Sequence, residues 1–215
     1  SARFVSSVAE AHVVVPLARS KSHGRDMKIG SFLTVLAILL AQTACSPSDH
    51  AVLEAASLTV SPCDNDEDRT FAPFRLEANF LRWLQDDGVG QIEMRTGYRA
   101  QTLSDTMVLQ VLDLDTVSRR WAEDPEVSLP LDDTLLRLSV LLLSTCPDAA
   151  QPIVGRGGGV RFTKFDTSVG GHIAGTATFD LVDARPKDAA VMATGATLEF
   201  EFEVRRGAAY EDYTR

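Results

Sequence analysis

Residues 196–204 have the sequence ATLEFEFEV, and their strict alternation identifies the fold class. In an extended chain, Phe200 and Phe202 share one face while Glu199 and Glu201 share the other. On a helix, residues two positions apart lie about 200° apart around the axis, so the two phenylalanines could not face one core. This stretch therefore predicts a β-strand with one buried face and one face in water.

Similar runs recur along the chain and are separated by turn-forming residues. Alternating or continuous apolar runs predict strands at residues 53–60, 91–98, 106–112, 134–144, 160–165 and 173–181. Short strands with glycine and proline between them predict a mostly β fold, an antiparallel β-sandwich or barrel. At most one or two short helices are expected in it.

Two segments, residues 75–84 and 134–144, fit either a strand or a helix, and the spacing of Arg137 and Ser139 favours a strand for the second. The turn sequence DDG that follows residues 75–84 favours a strand that forms a hairpin with residues 91–98. Residues 115–122 are expected to form one short helix, with Asp115 as its N-cap.

The N-terminal part of the chain has a different pattern, that of an export signal. Lys28 supplies a positive charge, and residues 29–41 (IGSFLTVLAILLA) are uncharged and mostly apolar. The run from 29 to 44 is shorter than the roughly 20 residues that a helix needs to span a bilayer. We expect residues 27–44 to be a hydrophobic signal helix, and residues 1–26 to be an upstream extension outside the fold.

The end of this run, residues 40–45 (LAQTAC), resembles the lipobox of bacterial lipoproteins. In that family the cysteine thiol receives a diacylglycerol, the preceding bond is cut and the new N-terminus is acylated. The resemblance implies lipidation of Cys45, a tether at residues 45–52 and attachment to a membrane. Ser46 resembles the residue found in lipoproteins sent to the outer membrane, facing the periplasm or the cell surface. The alternative is an ordinary signal peptide cut near Ala44.

The cysteine count agrees with export. If Cys45 carries lipid, Cys63 and Cys146 remain, and in an oxidising compartment they are the natural pair. The alternative is two separate buried thiols. With this bridge in the earlier part of the chain, the strands after Cys146 are too few to form a layered domain by themselves. We therefore expect one β-sandwich domain over residues 53–215. Residues 151–159 (QPIVGRGGG) are the best internal boundary, as a long loop or a linker.

The charge of the chain restricts its partners. The net charge is −9 at pH 7, and an acidic surface repels phosphate backbones, which argues against binding to nucleic acid. Cationic partners or divalent ions remain compatible with it.

The densest carboxylate group consists of Asp64, Asp66 and Asp68. Oxygen ligands at alternate positions suit calcium, but Arg69 and Arg75 occupy the positions where an EF-hand loop needs Gly and Glu. A solvated acidic turn is the preferred interpretation and a looser calcium loop is the alternative. We expect no other cofactor.

Other candidate side chains have structural interpretations beside the functional ones. His50 is expected in the tether and His172 in a turn, and no nucleophile motif accompanies them. Trp83 and Trp121, with Tyr98, fit either the core, where such residues of sandwiches more often lie, or a sugar or peptide groove.

The row of Glu199, Glu201 and Glu203 is expected to be a solvated strand face that pairs with Arg161 and Lys164. A ridge for a cationic ligand, or a pair of general acids, is the functional alternative. These patterns predict a non-enzymatic binding or structural role in the cell envelope, and an exported hydrolase is the other hypothesis.

Overall fold

The computed structural model describes residues 49–97, 103–149, 153–185 and 190–205. Strands account for 61% of them, so the expectation of a mostly β fold is correct. The first half contains β1 (His50–Ala55), β2 (Leu58–Asp64), β3 (Glu67–Phe71), β4 (Phe74–Ala78), β5 (Phe80–Asp86), β6 (Val89–Arg95) and β7 (Thr106–Val111). The second half contains α1 (Leu114–Glu123), β8 (Leu129–Pro130), β9 (Leu136–Leu141), β10 (Ile153–Phe165), β11 (His172–Asp183) and β12 (Val191–Glu203).

The main sheet is antiparallel and nearly closed. Its strand order is β4-β1-β12-β11-β10-β9-β7-β6-β5, with β8 beside β10, while β2 and β3 form a separate hairpin. From β5 to β12, apart from the short β8, neighbouring strands of this sheet also follow one another in the sequence, and β1 pairs with the last strand, β12. This is the barrel-like alternative rather than a sandwich of two sheets.

One bend brings the two edges of the sheet together. Strands β4 and β5 lie at opposite edges of the strand order, yet only Asn79 separates them in the chain. The Asn79 N–H donates a hydrogen bond to the Arg95 carbonyl oxygen at 3.0 Å. Strand β4 pairs with β1 and β5 pairs with β6, so this bent segment belongs to both edges.

Two strand predictions failed at places where the buried positions switch between odd and even residue numbers. Leu53 and Ala55 are buried in β1, but Leu58 and Val60 are buried in β2, so one strand over 53–60 cannot bury all four. The opposite change, from even to odd, occurs at Asn79, because Leu76 before it and Leu81 after it belong to the core. Each change requires a break or a bend in the strand.

The hairpin prediction was correct. Strands β5 and β6 pair from Phe80–Arg95 to Asp86–Val89, and the tight turn contains Asp87 and Gly88, both with positive φ. Gly90 is required there, because a Cβ atom at this position would lie 2.0 Å from the ring of Trp83. The expected strands at 106–112 and 134–144 correspond to β7 and β9.

Aromatic side chains meet across the interior of the barrel. Trp83 on β5 contacts Phe165 on β10 edge-on, with ring centroids 6.2 Å apart, and these two strands lie on opposite sides of the barrel. Phe162 contacts Phe200 on β12 at 6.0 Å. Side chains therefore fill this level of the barrel, as in other small barrels of about eight strands.

The two ends of the barrel are covered by different elements. At one end, Leu114 and Val117 of α1 join the core, and the Trp121 indole N–H donates to the Phe162 carbonyl oxygen at 3.0 Å. At the other end, the β2–β3 hairpin is joined to the segment after β9 by the Cys63–Cys146 disulfide. These are the two cysteines that the sequence predicted to pair.

The cap of α1 differs from the prediction by two residues. Asp113 is the N-cap, and its carboxylate accepts a hydrogen bond from the Thr116 N–H at 2.9 Å. Asp115 lies in the first turn, where a negative charge interacts favourably with the helix dipole. Within the described residues, no helix has the length and apolar character needed to cross a membrane.

The glycine-rich segment is not a loop between sheets. Residues 153–159 belong to β10, which pairs with β9 and β11, so the expectation of a loop or linker there was wrong. Gly157 and Gly158 have φ of 66° and 61°, and the pairing with β11 shifts between Arg156 and Gly159. These positive φ angles belong to a β-bulge inside a long strand.

Candidate functional site

The outer wall formed by β4, β1, β12, β11 and β10 carries a polar groove. Its floor has hydroxyl and carboxylate side chains because the apolar residues of these alternating strands face inward. Three depressions of about 330, 290 and 400 Å³ follow one another across the wall. We call this continuous surface the outer groove; its polar lining is Glu54, Arg75, Glu126, Ser128, Arg161, Thr176, Thr178, Thr197 and Glu199.

The three depressions are continuous because they share lining residues. Glu54, Arg75 and Thr197 line the first two, and Thr176 and Thr178 line the second and third. The outer groove crosses five neighbouring strands, and with strands roughly 4.8 Å apart it extends for about 19 Å. It is long enough for an extended ligand.

Ion pairs lie at both ends of the outer groove. At the β4 end, Arg75 binds Glu54 and also Glu77, the latter at 2.7 Å. The hydrogen bond to Glu77 is the main cause that raises the pKa of Arg75, so this guanidinium stays charged. At the β10 end, Arg161 binds Glu126 at 2.5 Å. The sequence had placed Arg161 beside the glutamate row of β12 instead.

The bulge of β10 shapes the far end of the outer groove. A Cβ atom on Gly158 would lie 1.8 Å from the Thr178 carbonyl oxygen, so only glycine allows this close approach of the two backbones. The glycine-rich run in the sequence was the signal for this feature.

The centre of the outer groove contains Glu199 and threonine hydroxyls. Glu199 pairs in register with Val52 on one side and Thr176 on the other, while Thr178 pairs with Thr197. These threonines and Glu199 are exposed. In the part of the chain that the structure describes, the Glu199 carboxylate has no ion-pair partner.

A charged cluster borders the outer groove around Glu201. His50 and Glu201 are cross-strand partners, and Glu201 reaches past Ala174 to bind the Lys164 ammonium group at 2.6 Å. This hydrogen bond is the main cause that lowers the pKa of Glu201; burial opposes it, and Lys164, His50 and His172 add attraction. The predicted pairing of the glutamate row with Lys164 is present.

Both histidines lie in strands rather than in irregular segments. His50 is the first residue of β1, not part of a tether, and His172 is the first residue of β11, not part of a turn. The Nδ1 atom of His172 is buried and has no hydrogen-bond partner among the described residues.

A second charged group lies outside the outer groove, on β5 and β6. The Glu93 side chain is only 4% exposed and binds both Arg82 and Arg95. A carboxylate removed from water is stable only when it is paired in this way. Both carboxylate oxygens are already occupied by guanidinium groups, so this cluster is less suited than the outer groove to a new ligand.

Asp64, Asp66 and Asp68 lie at the exposed tip of the β2–β3 hairpin. Asn65 and Asp66 have φ of 53° and 60°, which is the conformation of a tight two-residue turn, and the Asp66 N–H donates to Asp148. No three His, Cys, Asp or Glu side chains of the described residues are grouped so as to hold a metal ion. Calcium binding stays a prediction.

The tryptophans are structural. Trp83 is 8% exposed and Trp121 packs partly buried against the core. Tyr98 and Cys45 lie outside the described residues.

Sequence reasoning missed the outer groove because its lining comes from five strands and from the segment between α1 and β8. Only the glutamate row and the glycine run gave any signal of it.

Comparison of the chain with protein-family models, with curated proteins and with solved structures gave no match.

Proposed function

We propose that this protein is a lipid-anchored binding module of the bacterial cell envelope, whose outer groove holds an extended polar ligand. The outer groove is the observation that carries the proposal. It presents hydroxyl groups, guanidinium groups and carboxylates along a length of about 19 Å, and its ends are held by ion pairs. A ligand can form hydrogen bonds along this surface without entering the filled interior.

Two features support a location outside the cytoplasm. The Cys63–Cys146 disulfide is of the kind that persists in oxidising compartments. Residues 27–45 resemble a lipoprotein export signal that ends at Cys45. More than one acyl chain at Cys45 would give stable attachment, because a single chain holds a protein only marginally.

Blocking the outer groove is expected to weaken ligand binding strongly. Arrays of heptapeptides and of neutral oligosaccharides would be probed with the purified domain, and the best binders measured by fluorescence polarisation. Thr178→Trp places an indole at the centre of the outer groove, and we expect it to weaken binding at least tenfold, about 1.4 kcal/mol.

The matched control is Thr70→Trp, an exposed threonine of β3 that does not line the outer groove. It should leave affinity unchanged, and thermal melts of both variants check that they fold. Equal affinity of the wild type and Thr178→Trp for every binder would contradict the proposal.

Lipidation of Cys45 is tested by metabolic labelling with a palmitate analogue. The wild-type protein should be labelled and should sediment with membranes, whereas Cys45→Ala should be unlabelled and soluble. Thiol acylation needs the Cys45 sulfur, so equal labelling of the two proteins would show that Cys45 is not the lipid attachment site.

A further inference from the structure

We infer that the ligand of the outer groove is a basic peptide whose lysine or arginine side chain binds Glu199. This inference rests on the proposed function and adds the chemical class of the ligand.

Among the described residues, the charges at the two ends of the outer groove are paired, and the charge at its centre is not. Glu54 is bound to Arg75 and Glu126 is bound to Arg161. Glu199 lies between these two ion pairs, and the described residues offer it no cationic partner. On the next row, Lys164 is already bound to Glu201 at 2.6 Å. A ligand that supplies one cation at the centre would complete the pairing of these charges.

Neutral threonine hydroxyl groups surround Glu199 in the outer groove. Thr176 is its cross-strand partner, and Thr178 and Thr197 face each other one row away. Cross-strand side chains have Cβ atoms roughly 5 Å apart, so these hydroxyls lie close to the carboxylate. They can donate to peptide carbonyl oxygens and accept from peptide N–H groups on both sides of a bound cation.

The length of the outer groove and the net charge of the chain also fit a basic peptide. An extended peptide rises about 3.4 Å per residue, so the outer groove holds about five or six residues. The net charge of −9 favours the approach of cationic ligands over long distances. A neutral oligosaccharide could use the hydroxyls but would leave Glu199 unpaired, so the basic peptide is favoured.

The test uses an array of heptapeptides with one central lysine and neutral flanking residues. A second array has norleucine, which lacks the charge, in place of the lysine. The five tightest lysine peptides and their norleucine partners are measured by fluorescence polarisation against the wild type, Glu199→Gln and Glu203→Gln. Glu203 is the matched control, because it lies on the same face of the same strand, outside the outer groove, and its replacement changes the net charge equally.

We expect Glu199→Gln to weaken binding of the lysine peptides about fivefold, the upper range for an exposed ion pair. Glu203→Gln should change it less than twofold, and neither variant should affect the norleucine peptides. Added salt should reduce the difference between the wild type and Glu199→Gln, because salt screens exposed charges.

Other outcomes separate this inference from the proposed function. Equal effects of Glu199→Gln and Glu203→Gln, or tight binding of neutral oligosaccharides without basic peptides, would overturn the cation at Glu199. If Thr178→Trp still weakened binding strongly in those cases, the outer groove would remain the binding site. Binding that Thr178→Trp does not affect would overturn both.

Discussion

Replacing Phe200 or Phe202 by alanine is expected to lower the free energy of unfolding by about 3–5 kcal/mol. Each ring is 1% exposed, and both face the interior of the barrel from β12. Phe200 also contacts Phe162 with ring centroids 6.0 Å apart. Truncation removes the buried ring and leaves a cavity that the closed sheet cannot easily collapse, so the loss is a large part of the 5–15 kcal/mol that is typical of a domain.

Glu201→Ala is the control, since Glu201 lies between the two phenylalanines in the sequence but on the outer wall. Its ion pair with Lys164 is partly exposed, and such pairs contribute about 0–1 kcal/mol. Urea unfolding of the three variants measures the free energy of unfolding that each one loses. A loss from Glu201→Ala as large as that from Phe200→Ala would show that the charged cluster on the outer wall holds the sheet together.

Removing the disulfide is expected to have an effect of similar size. The bridge joins residues 83 positions apart, and the chain-entropy model gives a stabilisation of about 4–5 kcal/mol for such a loop, as an upper value. Both cysteines are buried, so a Cys63→Ala, Cys146→Ala double variant also loses packing. The β2–β3 hairpin loses its covalent link to the segment after β9.

The measurement compares urea unfolding of the double variant and of the wild type with and without reductant. Reduced wild-type protein should approach the stability of the double variant, while Cys45→Ala should not change. Alkylation followed by mass measurement should find neither Cys63 nor Cys146 free in the oxidised protein. Ready alkylation of both thiols in the folded protein would contradict the pairing.

Local patterns predicted much of the secondary structure. Period-two alternation located β6 and the inner parts of β10, β11 and β12, because successive residues of a strand with one buried face alternate between the core and water. Nearly continuous apolar runs located β7 and β9. The DDG turn was equally local, since its positive φ angles require particular residues. The cysteine pairing followed from the count of three and from the lipobox resemblance at Cys45.

Alternation alone did not locate the breaks in the strands. It predicted one strand over residues 53–60 and did not separate β4 from β5, although the buried positions switch from odd to even in the first place and from even to odd in the second. At the bend between β4 and β5, the Asn79 N–H donates a hydrogen bond to Arg95, which lies on another strand. Such a contact between distant residues has no local signature.

The alternating residues of this chain established β-strands, their inward faces and the pair of cysteines, because these depend on neighbouring positions and on residue chemistry. Closure of the sheet and the position of the outer groove depended on tertiary pairing. Glu54, Arg75 and Glu199 come from three strands, and their proximity is set by which strands are neighbours and in what register. Strand order and register arise from packing of the whole core. The lack of an ion-pair partner for Glu199 among the described residues could therefore be recognised only from the paired strands.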